Sequence, residues 1–131
     1  MLSFSAMQLS KILLVDDDEN IRTIALLSLE DDYQVEVATS GLTAIQMAQK
    51  NKPDLILLDV MMPGIDGKAT FEKLQEMPDL AKIPVVFMTA KVQTHEIDFY
   101  IKLGAAGVIT KPFDPMTLAS DVHNIWTASA G

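Results

Sequence analysis

The segment LILLDVMMPG, residues 55–64, carries the pattern that decides the fold. It begins with four consecutive apolar residues at 55–58, which is typical of a strand buried on both faces, as a parallel sheet requires. Asp59 follows at the end of this strand, and Pro63-Gly64 marks a tight turn shortly after it. The segment therefore predicts a buried parallel strand that places one carboxylate at the edge of a sheet.

The rest of the chain alternates similar apolar runs with longer amphipathic stretches. The further runs lie at residues 12–15, 35–38, 85–88 and 107–109. Apolar residues at helical spacing lie between or after the runs, at 21–29, 42–50, 71–77, 97–103 and 118–125. Only the run at 35–38 alternates clearly, so we expect it at an edge of the sheet. Five strand–helix pairs in strict order predict an α/β fold with a parallel sheet and right-handed crossovers.

Length and composition limit the classes of function. The 131 residues are enough for one domain, and hydrophobic residues at 49% exclude a mainly disordered chain. A net charge of −8 argues against direct binding to nucleic acid, which needs a basic face. The chain has no cysteine for a thiolate metal site, and its apolar runs are too short to cross a membrane. Because the first residues do not resemble a signal peptide, we expect a cytoplasmic protein.

Acidic residues follow the first and third predicted strands. In parallel sheets of this kind, ligands bind beyond the carboxyl ends of the strands. Asp16 and Asp17 follow the first strand, and they lie near Asp59 if the first and third strands are neighbours. Carboxylates at such short range repel one another unless a cation is present, and a hard ion such as Mg²⁺ suits them. We therefore prefer a metal site over a solvated acidic cap on the next helix.

Asp59 itself has two interpretations. It can cap the turn at Pro63-Gly64, or it can act beside a divalent cation as a nucleophile that takes up a phosphoryl group. Such a transfer needs charge neutralisation around the phosphoryl oxygens. Thr89 after the fourth strand and Lys111 after the fifth supply a hydroxyl and an ammonium group. Each alone would more often be structural, but together at one sheet edge they favour phosphoryl chemistry.

Four motifs, taken in order, resemble the receiver domain of bacterial two-component response regulators. They are ILLVDD at 12–17, LDVMMPGIDG at 58–67, MTA at 88–90 and KPF at 111–113. The resemblance runs from Lys11 to about Ala128, which leaves residues 1–10 as an N-terminal extension and 129–131 as a tail. It implies a flavodoxin-like, doubly wound α/β fold, in which five helices flank five parallel strands in the order 2-1-3-4-5.

The resemblance also implies roles for the acidic residues. Asp59 would accept a phosphoryl group from a histidine kinase. Asp16, Asp17 and Asp59 would hold Mg²⁺, or Mn²⁺ in its place, together with the backbone carbonyl of Met61. Asp17 would be the direct ligand, with Asp16 acting partly through water. In the family, the side chains two residues after the acceptor and after the threonine affect attack by water; here these are Met61 and Lys91.

Two further residues would contact the phosphoryl group, Thr89 through its hydroxyl and Lys111 through its ammonium group. Family members hold the peptide bond corresponding to Lys111-Pro112 in cis. They often carry an aromatic side chain, Tyr or Phe, three residues before the lysine, and this side chain turns inward when the threonine shifts. Here Val108 stands at this switch position, and valine has no large side chain to swing.

The predicted function is a phosphorylation-dependent signalling switch and not an enzyme of metabolism. Such a switch catalyses only the phosphorylation and dephosphorylation of its own aspartate. The expected partners are a histidine kinase or histidine phosphotransfer protein and a target protein. We expect neither direct binding to DNA nor association with a membrane. A homodimer through the fourth helix, fifth strand and fifth helix is a further option. Two alternatives stay open: a phosphorelay intermediate that passes its phosphoryl group to a histidine phosphotransfer protein, and a receiver fragment of a longer regulator.

Other functional classes fit the residues less well. A flavodoxin-type FMN binder shares the topology, but the acids at 16–19 would repel the phosphate of the cofactor. A phosphatase with an aspartate nucleophile needs a second Asp two residues later, where this chain has Met61. The glycine-rich motif of P-loop nucleotide hydrolases does not occur in the sequence.

Overall fold

The structure is a computed structural model that describes residues 8–90 and 93–130. The strands are β1 Lys11–Val15, β2 Gln34–Ala38, β3 Leu55–Asp59, β4 Val85–Thr89 and β5 Gly107–Thr110. The helices that alternate with them are α1 Glu19–Leu29, α2 Gly41–Lys50, α3 Gly67–Gln75, α4 Thr94–Leu103 and α5 Leu118–Ala130. All neighbouring strands are parallel, in the order β2-β1-β3-β4-β5. This order confirms the predicted fold and the edge position of β2.

Two apolar layers pack on opposite faces of the sheet. One layer contains side chains of α2, α3 and α4, with Phe71 and Phe87 at its centre. The other contains side chains of α1 and α5, among them Leu29 and Val122. Because both faces are covered, every residue of β3 and β4 is buried, whereas β2 is only partly buried. The continuous apolar runs in the sequence follow from this double burial.

Side-chain caps fix where α1 and α3 begin. The carboxylate of Asp18 accepts hydrogen bonds from the amides of Asn20 and Ile21 at the start of α1. Asp66 caps α3 in the same way, because its Oδ1 accepts the amide hydrogen of Ala69 at 2.8 Å. These bonds satisfy amide groups that have no partner within the helix. They also fix the entry to each helix directly after the loops that follow β1 and β3.

The strand register brings the predicted functional residues to one edge of the sheet. Val15, which precedes Asp16, lies opposite Leu58, which precedes Asp59. Thr89 lies opposite Thr110, which precedes the predicted lysine position. The carboxyl ends of β1, β3, β4 and β5 therefore meet, as the sequence analysis requires.

Two helix boundaries differ from the sequence pattern. α3 ends at Gln75 although the apolar spacing continues to Met77. The amides of Glu76 and Met77 donate hydrogen bonds to carbonyls three residues earlier instead of four, and Pro78 follows. α5 continues to Ala130, into the residues treated as a tail, and the domain limits stay a prediction.

Residues 1–7, Gly131 and Lys91 lie outside the described residues. Within the described ranges, no helix combines the length and hydropathy needed to span a bilayer.

Candidate functional site

Three carboxylates come together at the carboxyl end of the sheet. One oxygen each from Asp16, Asp17 and Asp59 lies within 4.8 Å of the others. Asp16 and Asp59 are buried, and Asp17 is exposed. The neighbouring positions of β1 and β3 produce this cluster, which confirms that the predicted acids share one site.

Asp16 is held by contacts on both carboxylate oxygens. Its Oδ1 accepts the amide hydrogen of Asp18 at 2.9 Å, and its Oδ2 lies 2.7 Å from Nζ of Lys111. Arg22 donates from Nη1 to the backbone carbonyl of Asp16 at 3.0 Å. The sequence pattern does not indicate this role of Arg22, because a position six residues after Asp16 follows no spacing rule that points to the loop. The loop after β1 is thus fixed at both its backbone and its side chain.

Lys111 joins the two buried carboxylates. Its Nζ donates to Oδ1 of Asp59 at 2.9 Å as well as to Asp16. The peptide bond between Lys111 and Pro112 is cis, as predicted. Burial by itself lowers the pKa of Lys111, but the hydrogen bonds and charges of the two carboxylates outweigh it and hold the pKa above its usual value. The lysine is therefore cationic and neutralises part of the acidic charge.

Asp59 is the last residue of β3 and is 4% exposed. Burial raises the pKa of Asp59, the charge of Asp16 raises it further, and the contacts with Lys111 and the amide of Met61 lower it. The net effect is a raised pKa, so this carboxyl ionises less readily in the folded site than it would in water. The amide of Met61 lies 3.4 Å from Oδ1 of Asp59.

The remaining predicted residues lie at or near the same edge. Thr89 is the last residue of β4 and is buried. The side chain of Met61 is 73% exposed beside Asp59, so its backbone is the part that lies close to the carboxylate. Val108 lies further down β5, opposite Phe87, where it packs against the apolar layer rather than against the acids.

Gly67 is a second residue whose role the sequence analysis missed. It begins α3, and a Cβ added there would overlap the carbonyl oxygen of Asp59 and lie 2.8 Å from Cα of Val60. The atoms it would meet belong to the backbone and cannot rotate away. Only glycine therefore lets α3 begin this close to the strand that carries the acceptor carboxylate.

Gly67→Ala is expected to lower the free energy of unfolding by about 1–3 kcal/mol, the usual cost of overpacking. The new methyl group must push α3 away from the end of β3. Chemical denaturation measures the loss, with Glu72→Ala on the exposed side of α3 as the control, which should change stability by less than about 0.5 kcal/mol. Equal stability of Gly67→Ala and wild type would show that α3 can shift without cost.

The donor set fits a hard divalent cation. Magnesium prefers oxygen ligands, takes one or two carboxylates from a protein and keeps its other positions for water or phosphate oxygens. The cluster offers carboxylate oxygens from two buried acids and one exposed acid. The exposed side of Asp17 leaves room for ligands that do not come from the chain.

Comparisons with known proteins agree with this geometry. The sequence model of the response regulator receiver domain matches residues 12–123. The chain is 40% identical over 115 residues to a probable transcriptional regulator, ycf29, of Porphyra purpurea, which covers 87% of this chain and 55% of that protein. It is 39% identical over 117 residues to the response regulator PleD of Caulobacter vibrioides, covering 88% of this chain and 26% of PleD.

A solved structure has the same fold over almost its whole length. The chemotaxis response regulator CheY4 of Vibrio cholerae superposes with a TM-score of 0.82 at 32% sequence identity. The superposition covers 90% of this chain and 99% of the other. The chain therefore spans about half or less of the two curated relatives above, but nearly all of this solved structure.

Proposed function

The chain belongs to the response regulator receiver domain family, and we propose that it is a phosphorylation-dependent switch whose phosphoryl acceptor is Asp59. One arrangement supports this most directly. Nζ of Lys111 lies 2.9 Å from Asp59 and 2.7 Å from Asp16, while three carboxylates stand within reach of one further cation. A carboxylate that only capped a turn would not need a buried lysine partner or two further carboxylates beside it.

The proposed reaction moves one phosphoryl group. A carboxylate oxygen of Asp59 attacks phosphorus, and the P–N bond to the imidazole of a phosphohistidine breaks. The electron pair of that bond returns to the imidazole nitrogen, which takes a proton from solvent. In dephosphorylation, water attacks phosphorus and the bond between phosphorus and the carboxylate oxygen of Asp59 breaks. The carboxylate leaves as an anion, inorganic phosphate forms, and one proton of the water goes to solvent.

The residues of the site would divide the work of stabilising charge. The ammonium group of Lys111 would pair with one phosphoryl oxygen, and the hydroxyl of Thr89 would donate a hydrogen bond to another. Asp16, Asp17 and the carbonyl of Met61 would hold Mg²⁺ or Mn²⁺ together with Asp59. When bound, the metal supplies charge neutralisation for the phosphoryl oxygens as the bond to phosphorus forms.

Magnesium is expected to stabilise the folded chain, and Asp17→Asn is expected to remove most of this effect. At a concentration ten times its Kd, a ligand that binds only the folded state adds about 1.4 kcal/mol. Thermal unfolding with and without Mg²⁺ measures it. Asp31→Asn is the matched control, because Asp31 is exposed and lies in the turn after α1, away from the cluster. An equal response of Asp17→Asn and wild type would remove Asp17 from the proposed ligand set.

The proposed function is tested with phosphoramidate, a small donor whose P–N bond resembles that of phosphohistidine. The intact mass of the wild-type chain should increase by one phosphoryl group in the presence of Mg²⁺ and not in the presence of EDTA. A chain that stays unmodified with Mg²⁺ while its circular dichroism shows an intact fold would contradict the proposal. Modification that persists in EDTA would contradict the role of the metal.

Two alternatives belong to the same proposal. The chain can be a phosphorelay intermediate, in which case incubation of the phosphorylated chain with a histidine phosphotransfer protein moves the label to that protein. It can also be the receiver part of a longer regulator, which the 55% and 26% coverage of the curated relatives supports. In either case we propose a histidine kinase or phosphotransfer protein as donor, a cytoplasmic location and an output through protein contacts, with dimerisation through α4, β5 and α5 as one form.

A further inference from the structure

Tyr100 connects α4 to the centre of the sheet. Its ring centroid lies 4.8 Å from that of Phe87 on β4, with an interplanar angle of 43°. Phe87 is fully buried and also contacts Phe71 of α3, at 5.5 Å in an edge-on arrangement. No residue of α4, all ten of which are described, is fully buried, so this partly buried ring is one of few anchors of the helix.

Phe87 is the neighbour of Thr89 on the same face of β4. Side chains two residues apart on a strand point to one face of the sheet. If Thr89 moves toward a phosphoryl group on Asp59, it therefore moves next to Phe87, the residue on whose ring Tyr100 packs. On β5, the residue opposite Phe87 is Val108, which offers a small side chain and leaves the aromatic contact to Tyr100.

Charged residues of α3 and α4 act on the phenol of Tyr100. Burial raises the pKa of Tyr100, and the negative charges of Glu96 and Asp66 raise it further. Asp66 is the N-cap of α3, at the end of the segment that leads from Asp59 into that helix. Tyr100 thus packs on β4 and also lies within the electrostatic influence of the N-terminus of α3.

Phe99 carries this contact to the surface. Its ring lies 5.4 Å from that of Tyr100 and is 47% exposed. Nζ of Lys68 on α3 lies 5.9 Å from the centroid of Phe99, within the range of a cation–π contact. A shift of Tyr100 would therefore change the position of an exposed aromatic side chain and its contact with α3.

From this packing we infer that Tyr100, on α4, is the aromatic side chain that couples Thr89 to the exterior, in place of an aromatic residue at Val108. The inference rests on the proposed phosphorylation of Asp59. It assigns the conformational change to α4 and its contact with Phe87, and not to a side-chain rotation on β5. Among the five helices, α4 is the one without a fully buried residue, which favours its displacement by such a change.

The chain contains only two tyrosines, Tyr33 and Tyr100, which makes a direct test practical. Incorporation of 3-fluorotyrosine gives two ¹⁹F resonances, and Tyr33→Phe assigns them. Tyr33 packs on the opposite apolar layer and serves as the internal reference. Spectra are recorded with Mg²⁺ alone and with Mg²⁺ plus phosphoramidate, and the intact mass of each sample gives its phosphoryl occupancy.

The expected result is a shift of the Tyr100 resonance by more than its linewidth on phosphorylation, while the Tyr33 resonance stays in place. In Thr89→Ala at matched occupancy, the Tyr100 resonance should remain at its unphosphorylated position. A phosphorylated wild-type chain with an unmoved Tyr100 resonance overturns this inference and leaves the proposed function intact. A Thr89→Ala chain with the full shift overturns the coupling through Thr89. A chain that gains no phosphoryl group overturns both proposals.

Discussion

Lys111→Met is expected to lower the free energy of unfolding at pH 7 by about 3 kcal/mol, the lower end of the range for breaking a buried ion pair. The side chains of Asp16 and Asp59 are 0% and 5% exposed, and both lose their ammonium partner. Methionine keeps the apolar stem, so the loss reports on charge more than on packing. Urea denaturation measures it.

The loss should depend on pH, with a direction set by Asp59. Burial raises the pKa of Asp59 in the wild type, and removal of the lysine takes away the contacts that lower this pKa. A carboxyl whose pKa is raised by folding destabilises the fold as pH rises through that pKa and the group must ionise. The difference between wild type and Lys111→Met should therefore be small near pH 4 and grow toward pH 7. The raised pKa of Lys111 does not alter this trend, because its stabilising contribution declines only above the usual lysine range.

Two variants serve as controls for this result. Lys102→Met removes an exposed lysine of α4 and should change stability by less than about 0.5 kcal/mol. The double variant Asp59→Asn/Lys111→Met should recover part of the loss, because one of the two uncompensated acids is gone. A loss of equal size at pH 4 and pH 7 would mean that Lys111 acts through packing, and the electrostatic account of the site would be wrong.

Asp59→Asn is expected to abolish phosphorylation and at the same time to stabilise the fold at pH 7. The amide cannot form an acyl phosphate, so the mass increase should disappear completely. Burial and the charge of Asp16 oppose ionisation of Asp59, and the neutral amide avoids this cost, by on the order of 1 kcal/mol. The gain should vanish at acid pH, where the wild-type carboxyl is protonated in both the folded and unfolded states.

Asp98→Asn is the matched control for this pair of effects. Asp98 is an exposed carboxylate on α4, so its amide variant should keep both the phosphorylation and the stability of the wild type. If Asp59→Asn loses stability instead, the carboxylate contributes more to holding the loop after β3 than it costs by ionising. Phosphorylation of Asp59→Asn to the wild-type level would place the acceptor elsewhere.

The fold could be predicted from short-range patterns in the sequence. Continuous apolar runs mark strands that are buried on both faces, and the alternating run at 35–38 marks the edge strand β2. The end of each run also located the acids, the threonine and the lysine, because parallel strands deliver their carboxyl ends to one side. The roles of these residues in phosphoryl transfer stay predictions until phosphorylation is measured.

Other features depend on contacts between distant segments and have no local signature. The approach of α3 to the end of β3 requires Gly67, but a glycine in a turn motif does not reveal which backbone atoms it adjoins. The hydrogen bond from Arg22 to the carbonyl of Asp16 forms across a loop, and the packing of Tyr100 on Phe87 joins a helix to a strand. Such contacts follow from tertiary geometry, which composition and periodicity do not contain.

The central claim, that Asp59 is the phosphoryl acceptor, is tested most directly by locating the modified residue. Borohydride reduces an acyl phosphate of aspartate to homoserine, and peptide mass spectrometry then shows at which position homoserine stands. After treatment with phosphoramidate and Mg²⁺, the account predicts homoserine at position 59 and at no other aspartate. Homoserine at position 16 or 17 would contradict it, as would a chain that yields no homoserine while it remains folded.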